Sequence, residues 1–106
     1  VKENLEMLEQ LTATHFAALQ GETFELQLEG AEPLPLVLVE VTEGATDPRR
    51  PAPRRTSFSI TFRGPATPHL PQQIYSIEHP KLGALEIFIV PIRRDAQGLY
   101  YEAVFG

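Results

Sequence analysis

Glu22-Thr23-Phe24-Glu25-Leu26-Gln27-Leu28-Glu29 is where this chain changes its period. Phe24, Leu26 and Leu28 alternate with polar or charged residues, the pattern of a β-strand with one wet face. Upstream of it the spacing is helical. Leu5, Leu8 and Leu11 recur on one face and Glu3, Glu6 and Glu9 on another. Thr12 is placed to cap a short helical turn, Ala13 to Leu19, that buries Phe16 and Leu19 and stops at Gly21.

Downstream the period of two returns five times. Leu34 to Thr42 follows a turn at Gly30 to Pro33, and its dense Leu/Val content predicts cover on both faces for part of its length. Ser57 to Arg63 turns Phe58, Ile60 and Phe62 inward. After a proline-punctuated corner, Gly64 to Pro71, comes a short strand from Gln73 to Glu78. A tight turn at His79 to Gly83 leads into Ala84 to Ile92, with Leu85, Ile87 and Ile89 on one face. Asp95 to Gly98 then turns the chain into Leu99 to Phe105, where Leu99, Tyr101, Ala103 and Phe105 are in phase. The predicted core is Phe16, Phe24, Leu26, Leu38, Phe58, Ile60, Phe62, Ile77, Leu85, Ile87 and Tyr101.

These elements predict an all-β fold: a small six-stranded antiparallel barrel or two-sheet sandwich, with a short N-terminal helix plugging one end. Short links favour pairing between consecutive strands. Only the loop from Glu43 to Arg55 looks long enough to cross between sheets. The expected organisation is an N-terminal extension, 1–11, and a single β domain, 12–106. Within that domain an Arg/Pro-rich loop at 43–55 is expected to be extended and mobile.

A chain of 106 residues supports one hydrophobic core. It has no cysteine, which removes disulfides, thiolate nucleophiles and Cys-based metal sites. That fits a reducing compartment, so a cytoplasmic location is expected, with a secreted or cell-surface assembly as the alternative. The longest wholly apolar run, Leu36 to Val39, is far too short to insert in a membrane. Val1 to Gln10 alternates acids with leucines and has no signal-peptide pattern. Charge is unevenly spread. Residues 1–47 hold ten of the fourteen acids and one base, Lys2, whereas 48–106 hold eight bases and four acids. With a net charge of −5, nucleic-acid binding is not expected.

Candidate chemistry is sparse. His15, His69 and His79 lie in no short ligand spacing, so no metal site or cofactor is expected. Ser57, Ser59 and Ser76 fall on polar strand faces, and no nucleophile elbow is present. Glu40 and Glu102 interrupt apolar stretches, but each is read as pairing with an arginine such as Arg63 or as pointing outward. No catalytic residue is assigned and the chain is expected to be non-enzymatic. The strongest charge feature is Arg49-Arg50-Pro51-Ala52-Pro53-Arg54-Arg55. It lacks interleaved aromatics and a Gly-rich cradle, so an acidic protein surface suits it better than phosphate.

A set of short motifs runs in order along the chain. Phe16-x-x-Leu19-x-Gly21-x-x-Phe24 comes first, then Phe62-Arg63-Gly64-Pro65, then Leu70-Pro71-Gln72 with Tyr75. Glu78-His79-Pro80-x-Leu82-Gly83 follows, and Phe88-x-Val90-Pro91 and Tyr101-Glu102-Ala103-Val104-Phe105 close the series. Over Leu11 to Phe105 this resembles an uncharacterised family of small β-rich bacterial proteins, a domain of unknown function. The resemblance carries a loose association with phage-tail-collar-like fibre proteins, which implies a structural role and no activity, cofactor or catalytic residue.

The expected function is therefore a non-enzymatic structural, assembly or protein-interaction module, self-associating or accessory to a fibre-like protein. Its partner contact is expected at Leu5 and Leu8 and at Arg49, Arg50, Arg54 and Arg55. The acidic and basic halves would meet head to tail between neighbouring subunits. The alternative is a small-molecule or glycan-binding barrel, with Tyr75, Tyr100 or Tyr101 stacking on a ring at the barrel mouth.

Overall fold

The computed structural model describes residues 12–43 and 58–105. A helical turn, α1 (Ala13–Ala17), precedes β1 (Thr23–Leu26), β2 (Leu34–Glu43), β3 (Phe58–Gly64), β4 (Gln73–His79), β5 (Gly83–Asp95) and β6 (Gly98–Phe105). The strands form a closed antiparallel barrel in the order β1-β2-β3-β6-β5-β4, with β4 returning to β1. Of the two architectures open to the sequence, barrel and sandwich, the chain adopts the barrel.

Two three-stranded meanders, β1-β2-β3 and β4-β5-β6, make up the wall. They meet through β3 with β6 and through β1 with β4. Consecutive pairing therefore fails at one place, β3 to β4. The crossing there is made by 65–72, in a Greek-key path over one end of the barrel. The loop at 43–55 does not cross, since it joins β2 and β3, which are hydrogen-bonded neighbours. Length alone misleads here. Eight residues can span up to about 26 Å, so this corner reaches across the barrel end even though it bends at 66–68.

All eleven predicted core residues are buried. Alternation dictates this, because in each strand the in-phase apolar residues point inward. At one end α1 is the plug. The Phe16 ring lies 5.8 Å from Phe58 and 5.4 Å from Phe105, which stack on each other at 4.8 Å. At the other end the crossing corner is the plug. Leu70 is buried there and its N–H donates to the Tyr101 hydroxyl at 3.2 Å, while the Tyr75 hydroxyl donates to the Pro71 carbonyl at 2.7 Å.

Three elements differ from the sequence reading by two residues or more at an end. α1 ends at Ala17 and turns onward to Gly21, whose φ of 91° closes the turn. β1 ends at Leu26, leaving Leu28 packed against the core from outside the ladder. β5 continues through Pro91 to Asp95, because a bulge between Pro91 and Arg93 absorbs the missing N–H. The hairpin that follows depends on Gly98, which has a φ of 143°. A Cβ there would collide with the Gly64 carbonyl.

Phe62 is fully buried and meets Phe24 edge-on at 5.2 Å. Phe62→Ala should cost about 3–5 kcal/mol, read as a lower urea midpoint with unchanged slope. A loss below about 1 kcal/mol would contradict this packing.

Candidate functional site

A barrel of six strands has a narrow interior, and here aromatic and aliphatic side chains fill it. Tyr75 and Tyr101, expected at an open mouth, are only 6% and 0% exposed. Alternation along β4 and β6 points both inward, where their hydroxyls bind the crossing corner. Burial, and then the neighbouring Tyr101, push the Tyr75 phenol above its usual range. Tyr100 points outward, yet its ring lies beneath Arg93, whose guanidinium carbon is 4.2 Å from the ring centroid. None of the three presents a free ring face at a mouth, so function must be sought on the outer wall.

The seam between β1 and β4 is acidic. Glu25 and Glu78 stand directly opposite each other on its outer side, an unfavourable like-charge pair. They border a hollow of about 480 Å³, lined also by Thr23, His79, Pro80 and Gly83. His79 ends β4 buried beneath this hollow, its ring 4.6 Å from Phe24. The Lys81 N–H donates to its Nδ1 at 3.0 Å. The imidazole proton is therefore on Nε2, which donates to Glu22 Oε1 at 2.7 Å. Both ring nitrogens are used, as in a structural histidine.

The other two histidines serve elsewhere. His15 lies exposed on α1, where its Nδ1 accepts the Thr12 N–H at 3.0 Å and helps cap the turn. His69 lies exposed in the crossing corner. Among the described residues no group of three or more metal-binding side chains comes together, and no helix is long and apolar enough to cross a membrane.

Across the barrel, β3, β6 and β5 carry an outward row of Arg63, Tyr100 and Arg93. With Gln20, Val39, Glu40 and Gln97 they line a hollow of about 400 Å³. Glu40 thus points outward and shares a hollow with Arg63. Glu102 is opposite Thr61 and Val90, half-buried on the outer wall. Asp95 closes the nearby hairpin. The Gln97 N–H, then the Tyr100 hydroxyl, the Gly98 N–H and Arg93 hold its carboxyl below the usual carboxylate range.

The outer wall of β4, β5 and β6 departs most from a soluble barrel. Ile74 is opposite Phe88, and Val90 is opposite Glu102. Ile74 and Phe88 thus form one outward row across β4 and β5, and Val104 is exposed on β6 beyond Glu102, where the β5–β6 ladder ends. These three side chains are 62%, 49% and 71% exposed. Before the bulge of β5 the other outward residues of this wall include Ser76, Glu78, Ala84, Glu86, Val90 and Glu102, and none of these is basic. Sequence reasoning missed this row, although the signal was available: Phe88 and Val104 are apolar residues in the polar phase of their strands. The residues it favoured, Leu5, Leu8, Arg49, Arg50, Arg54 and Arg55, lie outside the described residues.

A family model, domain of unknown function (DUF6916), matches residues 11–105, so the chain belongs to that family. No curated protein and no solved structure matches it.

Three outcomes follow from these side chains. Glu22→Ala leaves the buried His79 Nε2–H without its acceptor and should cost about 1–3 kcal/mol in urea unfolding. Glu25→Ala relieves the like-charge pair and should cost nothing. For Asp95 the depressed native pKa means its stabilisation is full above the free-carboxyl value of 3.8 and is lost as pH falls through the native value. Asp95→Asn should therefore remove part of the acid-induced fall in stability, measured by thermal melts between neutral and acid pH.

Proposed function

We propose that this chain, a DUF6916 member, is a non-enzymatic interaction and assembly module that associates with copies of itself through the outer wall of β4, β5 and β6. The observation that carries this reading is the exposed Ile74–Phe88 pair, with Val104 also exposed on β6, on strands whose outward phase alternation would otherwise make polar. Aromatic and aliphatic side chains exposed together on rigid strands are the raw material of a binding hot spot. The described residues offer little to an enzymatic reading: His15, His79 and Asp95 are engaged in local structure, and His69 lies exposed with no other metal-binding or acid–base cluster beside it. An accessory role beside a fibre-like protein is a narrower form of the same proposal, and it rests on the resemblance alone. The rival reading, a ligand at the barrel mouth, needs ring faces that Tyr75 and Tyr101 keep inside the core.

The wall faces solvent, so Ile74→Gln with Phe88→Gln should leave the thermal midpoint nearly unchanged. Loss of two hot-spot side chains should weaken self-association by about tenfold or more, read by sedimentation equilibrium. Wild-type protein that stays monomeric at every concentration, or a double variant that associates equally well, would overturn the proposal.

A further inference from the structure

We infer that the hollow on the outer wall between β2, β3, β6 and β5 is a binding site for an acidic α-amino acid, a small molecule with two carboxylates and one ammonium group. This site is separate from the Ile74–Phe88 pair and does not depend on self-association. Two β-bulges deliver opposite charges to it, and a row of side chains joins them.

Counted by twos from buried Leu38, Glu40 falls in the inward phase of β2. Counted from buried Ile89, Arg93 falls in the inward phase of β5. Neither enters the core. β2 inserts Val39 between Leu38 and Glu40, and β5 inserts Ile92 between Pro91 and Arg93, so one extra residue turns each charge outward. The carbonyl of the bulged Val39 accepts from the Gln20 carboxamide, whose Nε2 is 3.0 Å away. Both charged side chains line the same hollow of about 400 Å³. Small-molecule sites range over roughly 300–1,000 Å³, so its size suits a compact ligand.

Arg63 and Arg93 stand on either side of Tyr100, two strand spacings or roughly 10 Å apart at their backbones. Long side chains can close that gap onto a small molecule. Tyr100 is only 5% exposed although it faces outward, and its ring takes the flat face of the Arg93 guanidinium. Stacking of this kind leaves the in-plane N–H groups of the fork to a ligand. Among the described residues neither arginine is in an ion pair with Glu40 or any other carboxylate. Asp95 acts on Arg93 only from a distance, since its carboxylate accepts from the Gln97 N–H and the Tyr100 hydroxyl. The hollow therefore offers two guanidiniums and one carboxylate. Guanidinium forks bind carboxylates through paired, charge-assisted hydrogen bonds, and Glu40 accepts from an ammonium. A ligand with two carboxylates and one ammonium meets this set group for group. A phosphate or a plain dicarboxylate would leave Glu40 facing like charge.

L-glutamate and L-aspartate are titrated into the full chain by calorimetry, beside glutarate and succinate, their counterparts without the ammonium, and inorganic phosphate. At least one of the two amino acids should bind saturably at millimolar concentration or below, and at least about tenfold more weakly to Arg63→Gln and to Arg93→Gln. Its plain dicarboxylate, and phosphate, should bind the wild type several-fold more weakly. Glu40→Gln should reverse the preference between amino acid and dicarboxylate, because it removes the acceptor for the ammonium and the repulsion of the dicarboxylate together. Arg93 and Glu40 are exposed, so these two variants should melt close to the wild type, and they carry the test if Arg63→Gln fails to fold. Ile74→Gln/Phe88→Gln should bind the amino acid as the wild type does. Failure of both amino acids to bind saturably would overturn the inference. So would binding untouched by Arg93→Gln, or wild-type binding of the dicarboxylate or phosphate as tight as that of the amino acid. Loss of binding in Ile74→Gln/Phe88→Gln alone would move the ligand to the other wall and overturn this site.

Discussion

The hydrogen bond from His79 Nε2 to Glu22 ties this barrel together where its ladder is thinnest. β1 meets β4 in only two register pairs, extended by one bond from the Gln27 N–H to the Ser76 carbonyl at 2.8 Å. On its outer side the seam is opposed by Glu25 facing Glu78. On its inner side Leu26 and Ile77 are fully buried, and that apolar contact favours closure. The histidine adds a directional bond at the end of the seam. Its Nδ1 is occupied by the Lys81 N–H, so one imidazole links the entry to β1, the end of β4 and the turn into β5. Without this seam β1 and β4 would become free edges, each a template for pairing with another chain.

Closure of so small a barrel decides where function can reside. Phe24, Phe58, Phe62 and Tyr101 leave no lumen, and each end has its own plug: Phe16 on α1, and Leu70 in the crossing corner. The corner is held by both inward tyrosines, whose hydroxyls would be costly to bury without partners. Recognition is left to the wall, where a rigid sheet can hold side chains in fixed rows.

The sequence made most of this fold legible because alternation is a local signal. Phe58, Ile60 and Phe62 declare an inward face whatever their strand pairs with. Pairing order is not local, and so the β3 to β4 crossing does not show in the sequence: 65–72 is shorter than 43–55, yet its eight residues, bent at 66–68, cover the distance. Tyr75 and Tyr101 illustrate a second limit. An aromatic with a hydroxyl suits a binding mouth and a core equally well, and only the position of the Leu70 N–H and the Pro71 carbonyl decides between them. His79 was read as part of a turn, because its partner Glu22 is remote in sequence. The wall row was hidden for a third reason. Phe88 and Val104 each look like one exposed apolar residue, which is ordinary, and Phe88 joins Ile74 in a row only once register is known.

That row is informative because the rest of the barrel follows the expected rule. β1 points Glu25 outward and β2 points Glu40 and Thr42 outward, whereas β4, β5 and β6 present Ile74, Phe88 and Val104. An apolar row on a β-surface invites non-specific association unless something restricts it. Here Glu78, Glu86 and Glu102 stand on the same wall and carry one sign of charge, and like charges brought face to face disfavour the pairing of two identical walls. The Pro91–Arg93 bulge ends the regular ladder before the first bases of β5. Under the proposed self-association, this charge makes a contact between unlike faces of two copies more favourable than one between two copies of the same wall.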